Sequence, residues 1–464
     1  MKKRNREPHA VVSPARAAAF DILLRVERES SYATELLHSK TIASLTKVDH
    51  SLATELVMGV LRWRSWLDLQ ISTRSSQALP KLDLEILTAL RLAVYQLHWL
   101  SRIPARAAIN ESVELVKRAR KRSAAPFVNA VLRKLNGAIL KVPEFDPLQI
   151  SGGSVEALAT SSAHPPWLVE RWTQAYGLEA AMQICRHDQS VPVTAIRLRH
   201  REAEERLRGE GIELAPGAFL SSARRVLRGD VTASAAFRSG WCVIQDEASQ
   251  LVAALVGRGA TILDCCAAPG GKTLAVADRN VEARITAVDL HVHRARLLRR
   301  LLRAHDTSSK AGANNIRVVA ADARDLPFAA SFDRVLADVP CSGTGTLSRN
   351  PEIKWRLAPK DIADLQRRQL AILKAALTHV SRGGRVVYST CSLEHEENED
   401  VVERVLVEDS SFRVVDCGRE LAQLKQQDEL IWDEISSLTR GPYLRTLPGV
   451  HPCDGFFAAI LEKV

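Results

Sequence analysis

Short apolar runs alternate with helix-length segments along the C-terminal half of the chain, and this alternation restricts the fold more than any other feature. The runs are rich in Val, Ile and Leu, and they read TILDCC, RITAVDL, NIRVVAADA, FDRVLADVP and GRVVYST. Segments 292–304 and 361–380 between them are long enough for helices. Strands that alternate with helices predict a mostly parallel sheet with helices on both faces. Such α/β sheets bind their ligands beyond the carboxyl ends of the strands.

The N-terminal region predicts a different structure, because it contains almost no glycine. Residues 1–136 include only Gly59 out of the 23 glycines of the chain. Few tight turns, together with apolar residues spaced three and four apart, indicate helices joined by short loops. Pro104 and Pro126 suit the first turns of such helices. We therefore predict an all-helical bundle for residues 1–140.

Between these regions the composition changes twice. Residues 141–164 are rich in proline, glycine and serine, which is typical of a linker. The stretch VPVTAIRLRH alternates like a strand, and 201–209 has the length of a short helix. We predict a small α+β subdomain for 165–239 and the α/β domain for 240–464.

Length and charge narrow the class of protein. A chain of 464 residues is expected to form two or three domains. It has no uncharged apolar run long enough to span a membrane, and its basic first residues lack the apolar core of a secretory signal. We therefore expect a cytoplasmic protein without a membrane partner. The formal net charge of +10 favours a polyanionic partner, with nucleic acid before a membrane surface.

Two of the eight cysteines stand at equivalent places in the predicted sheet. Cys341 and Cys391 each begin a Cys-Ser pair shortly after an apolar run, so both should lie at the ligand-binding edge. The absence of any CxxC spacing predicts that the chain holds no metal. We interpret five further cysteines as small buried apolar residues: Cys185, Cys242, Cys265, Cys417 and Cys453.

The loop DCCAAPGGKT at 264–273 follows the first of these strands and opens a helix. It lacks the glycine spacing of a phosphate-binding P-loop and that of a dinucleotide fingerprint. S-adenosylmethionine remains, because its carboxylate can lie on a glycine-containing helix N-terminus. Asp289, at the end of the second strand, is placed for the ribose hydroxyls. Asp322, after the third strand, is placed to reach the adenine.

Several long motifs together give the chain a family resemblance. DCCAAPGGKT, DVPCSGTGTLSRNPEIKWR, YSTCS followed by EEN, and DGFFAAILEK resemble the Sun-type RNA cytosine-5 methyltransferases. The N-terminal stretches IPARAAINESVELVKRA and FVNAVLRKL resemble the bacterial group of ribosomal RNA small subunit methyltransferases B, which carry a NusB-like domain. The resemblance covers about residues 10–463. Val339 departs from it, since the family usually has alanine there.

The resemblance implies a fold, a reaction and a set of site residues. The fold is a class I methyltransferase domain with a mostly parallel seven-stranded sheet, an antiparallel last strand and a preceding NusB-like RNA-binding domain. The product is 5-methylcytosine in 16S ribosomal RNA, which is the substrate either free or partly assembled, and we expect a monomeric enzyme. The implied contacts to S-adenosylmethionine are Cys266, Ala267, Ala268, Pro269, Gly270, Gly271, Lys272, Asp289, Asp322 and Asp338.

The chemistry of methyl transfer to cytosine C5 gives a reason for two cysteines at one edge of the sheet. Cytosine C5 is a poor nucleophile, and a thiolate that adds to C6 activates it. The resulting adduct must later break, which gives a second thiol a task, and Asp338 can hold the amino edge of the base. The residues alone leave open which cysteine attacks, since the Pro-Cys setting of Cys341 is that of DNA cytosine methyltransferases. The resemblance assigns attack to Cys391 and release to Cys341.

Three basic segments are candidates for contact with RNA, and two alternative functions remain open. We interpret RNPEIKWR at 349–356 as an RNA-binding segment, with core packing of Trp355 as the alternative. KRARKR at 117–122 is either a phosphate-binding patch or a solvated helix end, and we interpret 293–303 as an ordinary amphipathic helix. The rival functions are a non-catalytic RNA-binding assembly factor and a DNA cytosine methyltransferase.

Overall fold

The computed structural model describes residues 12–29, 31–137, 154–304 and 315–464. The chain forms two compact units. The first extends to Val191 and also contains Leu347–Arg356, and the second contains Pro192–Thr346 and Leu357–Val464. The domain boundaries expected from the sequence stay predictions. The linker expected at 141–164 lies partly outside the described residues, and its last part contains a helix at Val155–Ser161.

Helices build the first unit up to Gln189, and those before residue 137 agree with the all-helical bundle predicted for 1–140. The helices from Val155 to Gln189 lie in segments predicted as a linker and as part of an α+β subdomain. The helices of this unit are α1 (Pro14–Glu29), α2 (Ala33–Leu37), α3 (Lys40–Ala43), α4 (Lys47–Arg62), α5 (Arg64–Ser72), α6 (Leu84–Trp99), α7 (Ala105–Arg118), α8 (Ala125–Asn136), α9 (Val155–Ser161), α10 (Pro166–Tyr176) and α11 (Leu178–Gln189).

Helix α6 forms the centre of the bundle. It packs against α1, α4, α5, α7 and α8, and nearly every residue from Thr88 to Gln96 is buried. A helix that is buried on most sides needs a largely apolar sequence, and this one, LEILTALRLAVYQLHW, is mostly apolar. Gly59 on α4 makes room for it, since a Cβ there would lie 1.9 Å from Cζ of Tyr95. The single glycine of residues 1–136 therefore marks a close helix approach.

The remaining elements follow in chain order. They are β1 (Thr194–Leu198), α12 (Ala203–Gly209), β2 (Glu213–Pro216), β3 (Ala223–Arg228), α13 (Ala235–Arg238), β4 (Cys242–Ile244), α14 (Glu247–Leu255), β5 (Thr261–Asp264), α15 (Gly271–Arg279), β6 (Arg284–Asp289), α16 (Val292–Ala304), β7 (Ile316–Ala320), β8 (Phe332–Asp338), α17 (Ile353–Arg356), α18 (Pro359–Thr378), β9 (Val380–Thr390), α19 (Glu399–Glu408), β10 (Phe412–Val415), α20 (Cys417–Gln426), β11 (Thr439–Arg440), β12 (Tyr443–Arg445) and β13 (Phe457–Lys463).

The second unit contains two sheets. The smaller is antiparallel with the order β2-β3-β1-β4. The larger has nine strands among the described residues, in the order β11-β12-β13-β9-β8-β5-β6-β7, with β10 also paired to β13. The pairs among β5 to β9 are parallel, and β13 runs antiparallel to β9.

This sheet confirms the expected fold. The five apolar runs of the sequence are β5 to β9, and DGFFAAILEK supplies the antiparallel strand β13. The implied seven strands become nine because the short strands β11 and β12 extend the sheet beside β13. Helix α16 is amphipathic as predicted, with Leu298 and Leu302 buried, although Leu297 is 55% exposed.

The segment Leu347–Arg356 is anchored within the helical unit. Nε1 of Trp355 donates to the carbonyl of Leu61 at 2.6 Å, and Oε1 of Glu352 accepts from the backbone N–H of Ala33 at 2.8 Å. The side chain of Lys354 is 1% exposed, and its Nζ donates to the carbonyl of Arg62 at 3.0 Å. The expectation that RNPEIKWR binds RNA is therefore wrong for Lys354, whereas Trp355 is partly buried and is tied to the helical unit by its indole hydrogen bond.

Lys354 lies in a buried polar cluster with Asp188, His164 and Cys185. Nε2 of His164 is 3.4 Å from Oδ2 of Asp188. Burial lowers the pKa of Lys354 to about 7, although Asp188 and Cys185 act in the opposite direction. The pKa of His164 is also lowered, first by burial and then by Lys354. The buried lysine therefore lowers the free energy of unfolding of this unit by an amount that depends on pH.

This cost predicts how stability varies with pH. Between pH 7 and the ordinary lysine pKa of 10.5, the unfolded chain binds a proton at Lys354 that the folded chain does not. The free energy of unfolding should therefore rise with pH in this window, by at most about 1.4 kcal/mol per pH unit. Lys354→Met should remove this contribution to the slope. Urea unfolding at pH 7 and pH 9 measures this change in the free energy of unfolding. Tryptophan fluorescence reports on the first unit, because six of the eight tryptophans of the chain lie in it.

Lys360→Met, which changes an exposed lysine of the second unit, is the matched control. The stability difference between wild type and Lys354→Met should increase from pH 7 to pH 9 in favour of wild type, while the control shows no such change. A difference that stays constant would contradict this account of the buried lysine.

Candidate active site

Four strands end at one edge of the large sheet and bring polar residues together there. Asp264, Asp289 and Asp338 are the last residues of β5, β6 and β8, and Cys391 directly follows β9. Because these strands are parallel, their carboxyl ends share an edge, and Asp338 lies in register with Ser389 of β9. The structure thus gathers the predicted acids and cysteines as the strand pattern indicated.

The loop from Cys265 to Gly270 crosses this edge and is tied to its neighbouring strands. The backbone N–H of Cys265 donates to the carbonyl of Leu336 at 2.9 Å, and that of Ala267 donates to the carbonyl of Val288 at 2.8 Å. Gly270 has φ 116°, and a Cβ there would lie 2.6 Å from Cδ1 of Leu298. The positive φ therefore favours glycine before α15 begins at Gly271, and a Cβ would also require the Leu298 side chain to shift.

Asp264 lies buried beneath this loop with one unused acceptor. Its Oδ2 accepts from Oγ1 of Thr273 at 2.7 Å, whereas its buried Oδ1 has no hydrogen-bond partner among the described residues. Burial raises the pKa of Asp264 to about 7, with a smaller contribution of the same sign from Asp338. The site therefore offers a buried carboxyl oxygen to a donor.

The two acids expected at the nucleoside end of a cofactor differ in their partners. Asp289 is 6% exposed, and its Oδ1 accepts from the backbone N–H of His291 at 2.9 Å. Asp322 lies two residues beyond β7 and forms a bidentate pair with Arg324, with Nη2 to Oδ2 at 2.6 Å. This arginine lowers the pKa of Asp322. Asp289 thus keeps an oxygen available, while Asp322 shares its carboxylate with a neighbour.

The sulfur atoms of Cys341 and Cys391 are 3.3 Å apart. Both side chains are partly exposed, whereas Cys185, Cys242, Cys265, Cys417 and Cys453 are buried as predicted. The hydrogen bond between the two sulfur atoms, partial burial and the negative charge of Glu397 raise the pKa of the Cys341 thiol well above its usual value. Cys341 therefore holds its proton, and this proton can be shared with the sulfur of Cys391.

A lysine and an aspartate lie beside the two thiols. Nζ of Lys272 is 2.8 Å from Oδ2 of Asp338, whose Oδ1 accepts from Oγ of Ser389 at 2.8 Å. Burial acts to lower the pKa of Lys272, but Asp338 and then Cys391 raise it, and the net shift is upward. Lys272 therefore remains a cation, and Asp338 and Cys391 are the groups that keep it charged.

The structure adds a buried network that the sequence did not reveal. The Glu397 side chain is 0% exposed and accepts from the backbone N–H of Ser342, from Oγ of Ser392 and from Nε2 of Gln369. Oγ of Ser342 and Oγ of Ser392 are 2.9 Å apart. The repeated Cys-Ser pair and the EEN motif were the sequence features that pointed to this network. Neither feature indicates which side chains form hydrogen bonds with each other.

The predicted basic patch at 117–122 divides into two groups. Lys117, Arg118 and Lys121 form ion pairs with Glu114, Asp21 and Asp83. Arg120 and Arg122 are exposed and form no ion pair with a residue that the structure describes. Three of the five basic residues thus belong to a solvated, paired helix end, and two are open to a phosphate.

No group of three or more His, Cys, Asp or Glu side chains is arranged to hold a metal ion in the part of the chain that the structure describes. None of the helices described is both long and apolar enough to cross a bilayer.

Comparison with known proteins gives two family matches and full-length relatives. Residues 255–462 match the model of the 16S rRNA methyltransferase RsmB/F family, and residues 13–136 match the NusB family. "Probable ribosomal RNA small subunit methyltransferase B" of Bacillus subtilis is 34% identical over 97% of this chain and 98% of its own length. "Ribosomal RNA small subunit methyltransferase B" of Pseudomonas syringae is 32% identical over 92% of this chain and 93% of its own.

Solved structures share the fold. PH0851 superposes with a TM-score of 0.78 at 23% identity and covers 98% of this chain and all of its own. NSun6 from Pyrococcus horikoshii, solved with the compound SFG, gives 0.55 at 22% identity over 65% of this chain and 99% of its own. Together with the identity over nearly the whole chain, the two family matches show that this protein belongs to the family of ribosomal RNA small subunit methyltransferases B.

Proposed function

We propose that this protein is an S-adenosylmethionine-dependent methyltransferase that forms 5-methylcytosine in 16S ribosomal RNA through a covalent cysteine–C6 adduct. The observation that carries the proposal is the pair of thiols 3.3 Å apart beside Lys272 and Asp338. Methyl transfer to an oxygen or an exocyclic nitrogen needs no cysteine nucleophile. Two thiols beside a cation suit a carbon atom that must first be activated.

The residues around the loop fit S-adenosylmethionine. The unpartnered Oδ1 of Asp264 is a buried acceptor for a donor such as the ammonium group of the methionine part. Gly270 and Gly271 let the backbone approach the carboxylate, and Asp289 has an oxygen for the ribose hydroxyls. The proposed contacts are Cys266, Ala267, Ala268, Pro269, Gly270, Gly271, Lys272, Asp289, Asp322 and Asp338. When bound, the cofactor supplies an electrophilic methyl group on a sulfonium.

The thiols divide the work in this proposal. The Cys391 sulfur, as a thiolate, forms a bond to C6 and moves electron density to C5, which then accepts the methyl group. Water then takes the C5 proton, the C5–H electrons form the C5=C6 double bond, and the S–C6 bond breaks with its electrons returning to Cys391. The Cys341 thiol, which holds its proton, donates a hydrogen bond to the departing sulfur. This bond makes Cys391 a better leaving group and a slightly weaker nucleophile, so Cys341 acts mainly in release.

An RNA substrate agrees with the surface of the helical unit. Eight basic side chains there are exposed and form no ion pair with a described residue: Lys47, Lys81, Arg102, Arg106, Arg120, Arg122, Arg133 and Lys134. Such side chains contact phosphates without reading sequence. The NusB-family match of residues 13–136 supports the same role for this unit. A free or partly assembled ribosomal RNA is therefore the proposed partner.

Replacing each cysteine should produce a different failure. In cells that lack the protein, wild type should restore 5-methylcytosine to 16S ribosomal RNA and Cys391→Ala should not, because no adduct forms. Purified Cys341→Ala should attack and methylate once but release slowly, so a denaturant-resistant protein–RNA complex should accumulate on a gel. Cys242→Ala, which removes a buried cysteine of the small sheet, is the matched control for both assays.

Two results would count against this division of work. A trapped complex with Cys391→Ala instead of Cys341→Ala would mean that the roles are exchanged. Restored 5-methylcytosine with Cys391→Ala would remove the covalent mechanism. If the methyl mark returns to another RNA and not to 16S ribosomal RNA, the proposed substrate is wrong although the chemistry stands.

The proposed contact between Asp289 and the ribose leads to a prediction about the affinity for S-adenosylmethionine. Asp289→Ala removes the carboxylate proposed for the ribose, and hydrogen bonds to a charged group contribute about 1.5–3 kcal/mol. The Kd for S-adenosylmethionine should therefore rise roughly ten- to a hundredfold in titration calorimetry. Asp325→Ala, which changes an exposed aspartate outside the proposed contacts, should leave the Kd unchanged. Unchanged affinity in Asp289→Ala would mean that the carboxylate only caps the backbone at His291.

A further inference from the structure

We propose that Glu397 is a positioning residue for the two thiols, acting through Ser342 and Ser392. This inference rests on the proposed function, because it concerns the geometry of the same two cysteines. It assigns a task to the EEN motif and to the serine that follows each cysteine.

The contacts of Glu397 reach both cysteine loops at once. Its Oε1 accepts from the backbone N–H of Ser342 at 2.9 Å, one residue after Cys341. Its Oε2 accepts from Oγ of Ser392 at 2.5 Å, one residue after Cys391. One carboxylate therefore joins two loops that are 50 residues apart in the chain.

Further bonds hold this carboxylate in place. Nε2 of Gln369 donates to Oε1 of Glu397 at 2.8 Å and to the carbonyl of Pro340, directly before Cys341, at 3.0 Å. The hydroxyl of Tyr388 donates to the backbone carbonyl of Glu397 at 2.5 Å. The side chains of Glu397, Ser392 and Gln369 are all 0% exposed. Water thus does not compete with these bonds, and the carboxylate is held by β9 and α18 together.

A carboxylate accepts every bond that is donated to it here, because both of its oxygen atoms accept, whereas a glutamine amide has one acceptor oxygen and an NH₂ group. The oxygen of a glutamine could keep the bonds from Ser342 and Gln369, since both donate to Oε1. Its NH₂ group would then face Oγ of Ser392, which donates to Oε2 and already accepts from the backbone N–H of Glu394, so the link to the Cys391 loop would lose its charge and reverse its direction. The negative charge has a second effect, since it contributes to the raised pKa of Cys341 after the Cys391 hydrogen bond and burial.

The test compares Glu397→Gln with Glu247→Gln in the full-length protein. Glu247 is another buried carboxylate of the second unit, 2% exposed, that accepts backbone N–H bonds from Ala218 and Phe219. The two variants therefore remove the same charge from similar settings, and only one of these settings joins the cysteine loops. Thermal unfolding of both variants measures the purely structural cost.

The first readout is independent of catalysis. Phenylarsine oxide bridges two neighbouring thiols: two As–S bonds form, and the two thiol hydrogens leave with the oxygen as water. Peptide mapping identifies the Cys341–Cys391 bridge and separates it from other cysteines. Glu397→Gln should slow this bridging at least about tenfold, and should slow single-turnover methylation of a 16S ribosomal RNA transcript about a hundredfold, the order expected for misplacement by about 1 Å.

Glu247→Gln should bridge and methylate at the wild-type rate. Unchanged bridging and methylation in Glu397→Gln would overturn the proposal, and so would equal losses in the two variants, since these indicate a general loss of stability. If Glu397→Gln does not fold, Ser392→Ala removes one of the two links and should still slow bridging, and wild-type bridging in that variant would overturn the proposal. Slower bridging in Glu397→Gln together with a wild-type protein that does not methylate cytosine would support the positioning role and reject the proposed function.

Discussion

Parallel pairing of β8 with β9 is the interaction on which the site depends. It sets Asp338 in register with Ser389, so that the loops after both strands leave the same edge of the sheet. Cys341 and Cys391 can approach to 3.3 Å only because these two loops start side by side. A pairing shifted by one residue would turn alternate side chains to the other face and separate Asp338 from Ser389.

The electrostatics of the site follow from this placement. Lys272 pairs with Asp338 and remains a cation, because Asp338 and then Cys391 raise its pKa. The hydrogen bond with Cys391, burial and the carboxylate of Glu397 raise the pKa of Cys341. Cys341 therefore keeps the proton that release requires.

Local patterns predicted the strands, the glycine-containing loop and the acids at the strand ends, because each depends on neighbours within a few residues. Contacts between distant segments were not predictable in this way. Trp355 was an RNA-binding candidate because it stands among basic residues, yet its indole donates to Leu61, 294 positions away. Glu397 belongs to the EEN motif, but the proposed role follows only from its hydrogen bonds to Ser342 and Ser392, which the sequence does not indicate. Charged residues inside a protein need partners, and partners of this kind come from anywhere in the chain.

The most direct test of the central claim uses wild-type protein and a substrate that cannot complete the reaction. Ribosomal RNA that carries 5-fluorocytosine has no C5 proton to lose, so an adduct at C6 should persist after methyl transfer. With S-adenosylmethionine present, the account predicts a covalent complex in which peptide mapping finds the nucleotide on Cys391. A nucleotide on Cys341, or no complex under conditions in which ordinary 16S ribosomal RNA is methylated, would contradict it.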